Sequence, residues 1–260
     1  MINECVYTTI EYYPKSFNDE SINVAFVFHN ATQGKLFFIR AKNKKRVMSF
    51  DDEMTANEYD MIMDTFETFI KRPFEITLFN QTNNIVFDSN YLKSLNNFFL
   101  NEFKFSKISK INSENVEQDM NDLLKLVLYY DFEKKDRLKP DVIEKILKRN
   151  IYQQLSYKNM EFDVDYLVND FGYGEQIKVD FKIGDTYIKI LNLKANAYTL
   201  KINTAKTWAF NKSYFDKKNK KLVFAITTEP VTDPEKTYID ILRSTNAEIY
   251  YMDQIMDILN

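Results

Sequence analysis

The chain has 260 residues, of which 45% are hydrophobic, and a formal net charge of -3. That length accommodates two domains of about 100–150 residues and buries enough surface to fold without a metal or a disulfide. The near-neutral balance supplies no global attraction to nucleic acid or to an anionic bilayer.

A single cysteine, Cys5, excludes an intramolecular disulfide and points to a reducing compartment. The opening residues lack a basic stretch followed by an apolar one, so no secretory signal is expected. No apolar run approaches the ~20 residues that span a bilayer, so no membrane partner is expected. Glycine (4) and proline (5) are scarce. With abundant Asn, Lys, Ile, Phe and Tyr, this bias matches A/T-rich codons. It suggests a low-G+C bacterium, or a virus or mobile element living in one, and a cytoplasmic location.

In chain order, residues 5–13 read as a strand stopped by Pro14. A second strand covers 22–28, with Ile22, Val24, Phe26 and Phe28 expected on one face. Turn residues Asn30 to Gly34 lead to a third strand over 35–41, giving an antiparallel meander. Residues 55–71 carry an apolar helical stripe of Tyr59, Ile62, Met63, Phe66, Phe69 and Ile70. Thr55 or Asn57 caps that helix and Pro73 lies just past its end. Phe74, Ile76 and Leu78 alternate as a strand, and 89–101 read as a short helix. The polar stretch 104–114 is expected as a boundary. Helices follow over 115–130 and from Pro140 to about 155, joined by a charged linker over 131–139.

The remainder reads as strands over 175–183 and 186–195 around a Gly184-Asp185 turn, a helix over 200–214 and a strand over 221–227. A helix over 234–245, a strand over 247–251 and a helix over 253–259 complete it. The expected fold class is α+β: an N-terminal antiparallel meander with helices, and a C-terminal mixed β-β-α-β-α-β-α domain. The expected division is 1–110, a helical region 111–155, and 156–260.

Few residues carry chemistry. His29 is the only histidine, so multi-histidine zinc sites and the usual triads are excluded. It reads as a satisfied core or surface residue. Asp170-Phe171-Gly172 lacks the other kinase elements, and Gly172-Tyr173-Gly174 lacks a third glycine. Two basic runs, Arg40, Lys42, Lys44, Lys45 and Arg46, then Lys217, Lys218, Lys220 and Lys221, are candidates for phosphate contact. The plainer reading is two solvated loops. No cofactor or metal is implied.

The C-terminal hairpin carries the sharpest chemical candidate. Asp180, then Asn192-Leu193-Lys194, resembles the restriction-endonuclease-like core, where carboxylates and a lysine hold a divalent metal and a water nucleophile. Asn192 stands where the second carboxylate belongs. An uninterrupted two-residue hairpin pairs Asp180 with Lys189 and sends Asp180 and Asn192 to opposite faces. On that register Ile177, Val179, Phe181, Ile188 and Ile190 form the core face. Asp180 and Lys189 are then an exposed cross-strand pair. An active nuclease would use Asp180 and Lys194.

Tyr7, Pro14, Glu20, Asn23 and Ala25, the strand ending Phe37-Phe38-Ile39-Arg40, and the helix at Asp122–Val127 together resemble an uncharacterised domain family of bacterial and phage genomes. The likeness covers roughly residues 1–130. Members are encoded near mobile elements and defence loci, so the resemblance implies a role in host–phage conflict and supplies no catalytic residues. The leading expectation is therefore a non-enzymatic interaction protein that binds a host or defence protein. The alternative is a nucleic-acid-binding protein with a degenerate, or active and metal-dependent, nuclease-like C-terminal domain.

Overall fold

The computed structural model describes residues 2–14, 21–75, 84–96, 102–106, 108–169, 176–193, 198–226 and 232–251. The fold is α+β. It divides into two compact units, Met1–Leu138 and Lys139–Asn260. The expected helical region 111–155 is not a separate body: its first part belongs to one unit and its last helix to the other.

In the first unit, β1 (Asn3–Tyr12), β2 (Ile22–Asn30) and β3 (Lys35–Arg40) form the expected antiparallel meander. Next come α1 (Lys44–Phe50), α2 (Ala56–Glu75), α3 (Tyr91–Leu95), β4 (Phe103–Phe105), β5 (Ser109–Ser113) and α4 (Val116–Val127). The stretch 104–114 is therefore not a boundary. β4 and β5 pair with the outer side of β1, which becomes an interior strand flanked by β2 on its other side.

The expected face of β2 is broken by a bulge. Ile10 pairs with Ala25 and Glu11 with Asn23, leaving Val24 as an extra residue. Ile22, Val24, Ala25 and Val27 join a core cluster with Tyr59, Met63 and Ile70 of α2 and Tyr91 and Leu92 of α3. Phe26 and Phe28 turn the other way, in a run of rings with Tyr7 and Phe37. Beside the bulge the Val24 carbonyl accepts from Ala41 N at 2.8 Å and, within the core, from Tyr59 Oη at 3.4 Å.

The ends of α2 and α4 carry most of the capping chemistry. Thr55 and Glu58 bond reciprocally at the start of α2, and Asn115 accepts from Gln118 N at the start of α4. Pro73 lies inside the last turn of α2 rather than beyond it. Phe74 is therefore helical, and the rest of the strand expected there lies outside the described residues. Asn23 closes the other end of α4, donating to Val127 O at 2.8 Å.

In the second unit, α5 (Pro140–Tyr157) precedes β6 (Asp163–Val164), β7 (Leu167–Val168), β8 (Ile177–Lys178), β9 (Phe181–Ile183) and β10 (Thr186–Leu191). α6 (Tyr198–Lys217), β11 (Lys221–Ile226), α7 (Asp233–Arg243) and β12 (Glu248–Tyr251) follow. The main sheet has the order β12-β11-β10-β9-β6, parallel from β10 to β12 and antiparallel between β10, β9 and β6. A short β7–β8 pair stands apart. The helix expected over 253–259 lies outside the described residues.

Successive side chains of β10 and β11 alternate between two cores. Ile188, Ile190, Val223 and Ala225 pack with Leu147, Ile151 and Leu155 of α5. Tyr187, Leu191, Leu222, Phe224 and Ile226 pack with Ala205 and Phe215 of α6 and Tyr238, Ile239 and Leu242 of α7. The unit is a three-layer sandwich with both sheet faces covered, which explains its near-continuous apolar strand β11.

Candidate functional site

The hairpin turn at Gly184-Asp185 holds as expected. Ile183 faces Thr186 and Phe181 faces Ile188, and Gly184 takes a φ of 53°, which glycine accepts without a steric penalty. The register then slips. Asp180 N also donates to Ile188 O, at 2.9 Å, so two residues oppose one and the strand bulges. The expected single core face is split by this step. Ile177 and Val179 lie in the α6–α7 core, and Phe181 lies in the α5 core with Ile188 and Ile190.

The bulge overturns the expected exposure of Asp180, which is buried. Its carboxylate lies between Lys189 of β10 and Lys148 of α5. The amide of Asn192 donates to Pro140 O of α5 at 2.6 Å. The pair with Lys189 exists but is buried: Asp180 Oδ2 lies 2.9 Å from Lys189 Nζ, with side-chain exposures of 5% and 16%. The same oxygen accepts Ile190 N at 2.8 Å, replacing a ladder bond that the bulged strand no longer provides.

Residues that sequence reading missed complete this arrangement. Lys148 of α5 lies 3.7 Å from Asp180 Oδ1 and 2.6 Å from Asp165. Lys178 lies 2.9 Å from Asp165. Hydrogen bonds from Lys148 and then Lys178 hold the Asp165 carboxyl below its usual range. The ammonium of Lys189 also sits 5.4 Å from the Trp208 ring centroid. Lysines on a helix at the spacing of solvated residues gave no signal that one reaches a strand carboxylate. Asp180 and Asp165 thus face three ammonium groups. Lys194 lies outside the described residues, as do Asp170–Gly172 and Gly174. Among the described residues no group of three or more His, Cys, Asp or Glu gathers to hold a metal.

The residues of the basic runs differ in what they meet. Arg40 bonds Glu67 and Asp64, and Lys44 pairs with Asp60. Arg46 instead lies over the Tyr130 ring, and Lys42 and Lys45 are exposed. In the second run Lys221 pairs with Glu248, Lys220 lies over Tyr187, Lys218 over Tyr214, and Lys217 is exposed.

His29 is buried, and its Nε2 lies 2.8 Å from Val86 O. Burial lowers its pKa from 6.5, opposed by that hydrogen bond and by Asp88 and Glu4. The folded state therefore favours neutral imidazole. Below the unfolded value of 6.5 the unfolded chain binds the additional proton, so stability is present above that pH and lost as pH falls. Each unit of pH down to the depressed folded value costs up to ~1.4 kcal/mol. Urea midpoints compared at pH 7.5 and 5.5 are expected to fall more in the native chain than in His29→Gln. An equal fall in both would contradict the buried neutral state.

Among the described residues no helix is long and apolar enough to cross a membrane. No family model, curated protein or solved structure matches the chain.

Proposed function

We propose that the chain works by binding rather than by catalysis, as an interaction protein whose partner is a host or defence protein. The observation that supports this reading is the state of Asp180. The carboxylate that a metal-dependent nuclease would need is buried against Lys189, held by Ile190 N and approached by Lys148. A divalent cation entering there would meet ammonium groups where such sites place carboxylates. The position of the second carboxylate is an amide, Asn192, engaged with the backbone of α5. The host–phage setting rests on the likeness of residues 1–130 to a family encoded near mobile elements and defence loci.

The test is a cleavage assay on duplex DNA, single-stranded DNA and RNA with magnesium or manganese, run beside affinity capture from bacterial lysate in high salt. No cutting, together with one partner protein retained in high salt, is expected. Cutting that Asp180→Asn abolishes while the fold persists would overturn the proposal.

A further inference from the structure

We propose that Arg46, Arg137 and Tyr130 of the first unit form a site for a phosphate group of a nucleic-acid strand. This goes beyond the binding role above and does not depend on its protein partner. The three residues come from separate parts of the chain. Arg46 lies in α1, Tyr130 in the short turn after α4, and Arg137 in the irregular segment that follows. The Arg46 guanidinium carbon is 5.4 Å from the Tyr130 ring centroid, and that of Arg137 is 5.3 Å from the same centroid and 5.4 Å from Tyr129. Arg137 Nε is fixed by a bond to Phe132 O at 3.0 Å, which leaves its two terminal nitrogens for a ligand.

Two guanidinium groups share one aromatic ring at this point. Arg40 and Lys44, in the same basic run, have carboxylate partners. Among the described residues Arg46 and Arg137 have no carboxylate within ion-pairing distance. The nearby acid, Asp131, directs its two oxygens to Lys42 N at 2.8 Å and Asn43 N at 2.7 Å. Two guanidinium groups are therefore gathered on one ring, partly buried and repelling each other, with Asp131 attracting Arg46 but forming no ion pair with it. An oxyanion between them would relieve that repulsion, and the planar forks of two arginines match phosphate oxygens.

Two features favour a strand over a free phosphate or an acidic protein. Lys42 and Lys45 lie exposed beside Arg46, so the positive surface extends past one phosphate's reach. Tyr130 is 38% exposed and carries the two guanidinium groups over its ring, and a nucleic-acid base can stack on such guanidinium planes. The global charge gives such contact no general assistance, so binding depends on these side chains.

The experiment measures anisotropy of a labelled single-stranded oligonucleotide of about 20 nucleotides with the full chain across a salt series. Wild type is expected to bind, with affinity falling as salt rises. Arg46→Gln/Arg137→Gln is expected to lower low-salt affinity more than tenfold. It should also reduce the log–log salt slope by about 1.4, which is two contacts at ~0.7 each. Arg137→Lys should keep the slope and lose several-fold in affinity. Lys236→Gln, at an exposed position of α7 in the other unit, should change neither. Inorganic phosphate should compete with the oligonucleotide in wild type. If circular dichroism shows the double variant unfolded, Arg137→Gln alone, in an irregular segment, should reduce the slope by about 0.7. Absence of binding by wild type, an unchanged slope in a folded Arg137→Gln variant, or binding of phosphopeptide but not oligonucleotide would overturn the proposal.

Discussion

Replacing Asp180 by Leu is expected to cost the second unit about 3–5 kcal/mol. The substitution strands Lys189, only 16% exposed, without its counter-ion, and it removes the acceptor of Ile190 N. Breaking a buried pair by deleting one partner leaves an uncompensated charge, which is why the loss exceeds that of any surface pair. Trp208, the only tryptophan, lies in this unit over Lys189 and reports unfolding in urea by fluorescence. Asp180→Leu/Lys189→Met should recover the part of the loss that comes from the lone charge and leave the ~1–3 kcal/mol cost of the unpaired Ile190 N. A cost below ~1 kcal/mol for the single substitution would place the pair among exposed ones, where such values are usual.

Phe224→Ala should cost a comparable ~3–5 kcal/mol. Phe224 sits mid-way along β11, between β10 and β12, with no exposed surface. Its ring meets Trp208 at 6.0 Å and 75°, an edge-on contact that adds ~0.5–1.5 kcal/mol to burial. The surrounding α6 and α7 side chains are held by the sheet and cannot close the space fully, so a cavity term adds to the lost transfer energy. Phe224→Leu should cost much less and leave the unit folded. Urea midpoints read through Trp208, with circular dichroism to follow the backbone, check both. Equal losses for Ala and Leu would mean that cavity volume is not the cause.

Helices and most strands were legible because their residues repeat at the period of the element that buries them. The stripe from Tyr59 to Ile70 is an example, while β11 was legible as an unbroken apolar run, Leu222–Ile226, of a strand covered on both faces. The Ile183–Thr186 turn was legible from the pair Gly184-Asp185. β5 was not. Ser109-Lys-Ile-Asn-Ser113 has one apolar residue, and it becomes a strand by pairing with β1, with Ser113 Oγ bonded to Asp119 at 2.7 Å. Both bulges, at Val24 and Asp180, were invisible for a related reason. A single extra residue reverses the side-chain alternation beyond it, and nothing in local composition marks where it falls. Hence the expected face of β2 and the expected exposure of Asp180 both failed at one residue. The candidate site was legible only as separate pieces. Asp180 stood out by its place in a hairpin, but Lys148 reaches it from a helix over thirty residues earlier. Arg46 stood out in a basic run, while Tyr130 and Arg137 join it only through tertiary structure.

The position of β1 inside its sheet has a consequence for how the protein is made. One side of the strand meets β2, whose residues follow their β1 partners by 10 to 25 positions. The other side meets β4 and β5 only after Phe103–Ser113 have been made, roughly a hundred residues later. At ~5–20 residues per second that is ~5–20 s of translation. During that time Cys5, Val6, Ile10 and Tyr12, all buried in the finished fold, lie along an open strand edge, the kind of edge that recruits other chains. The nascent protein is thus most vulnerable at the strand that is best protected once it is complete.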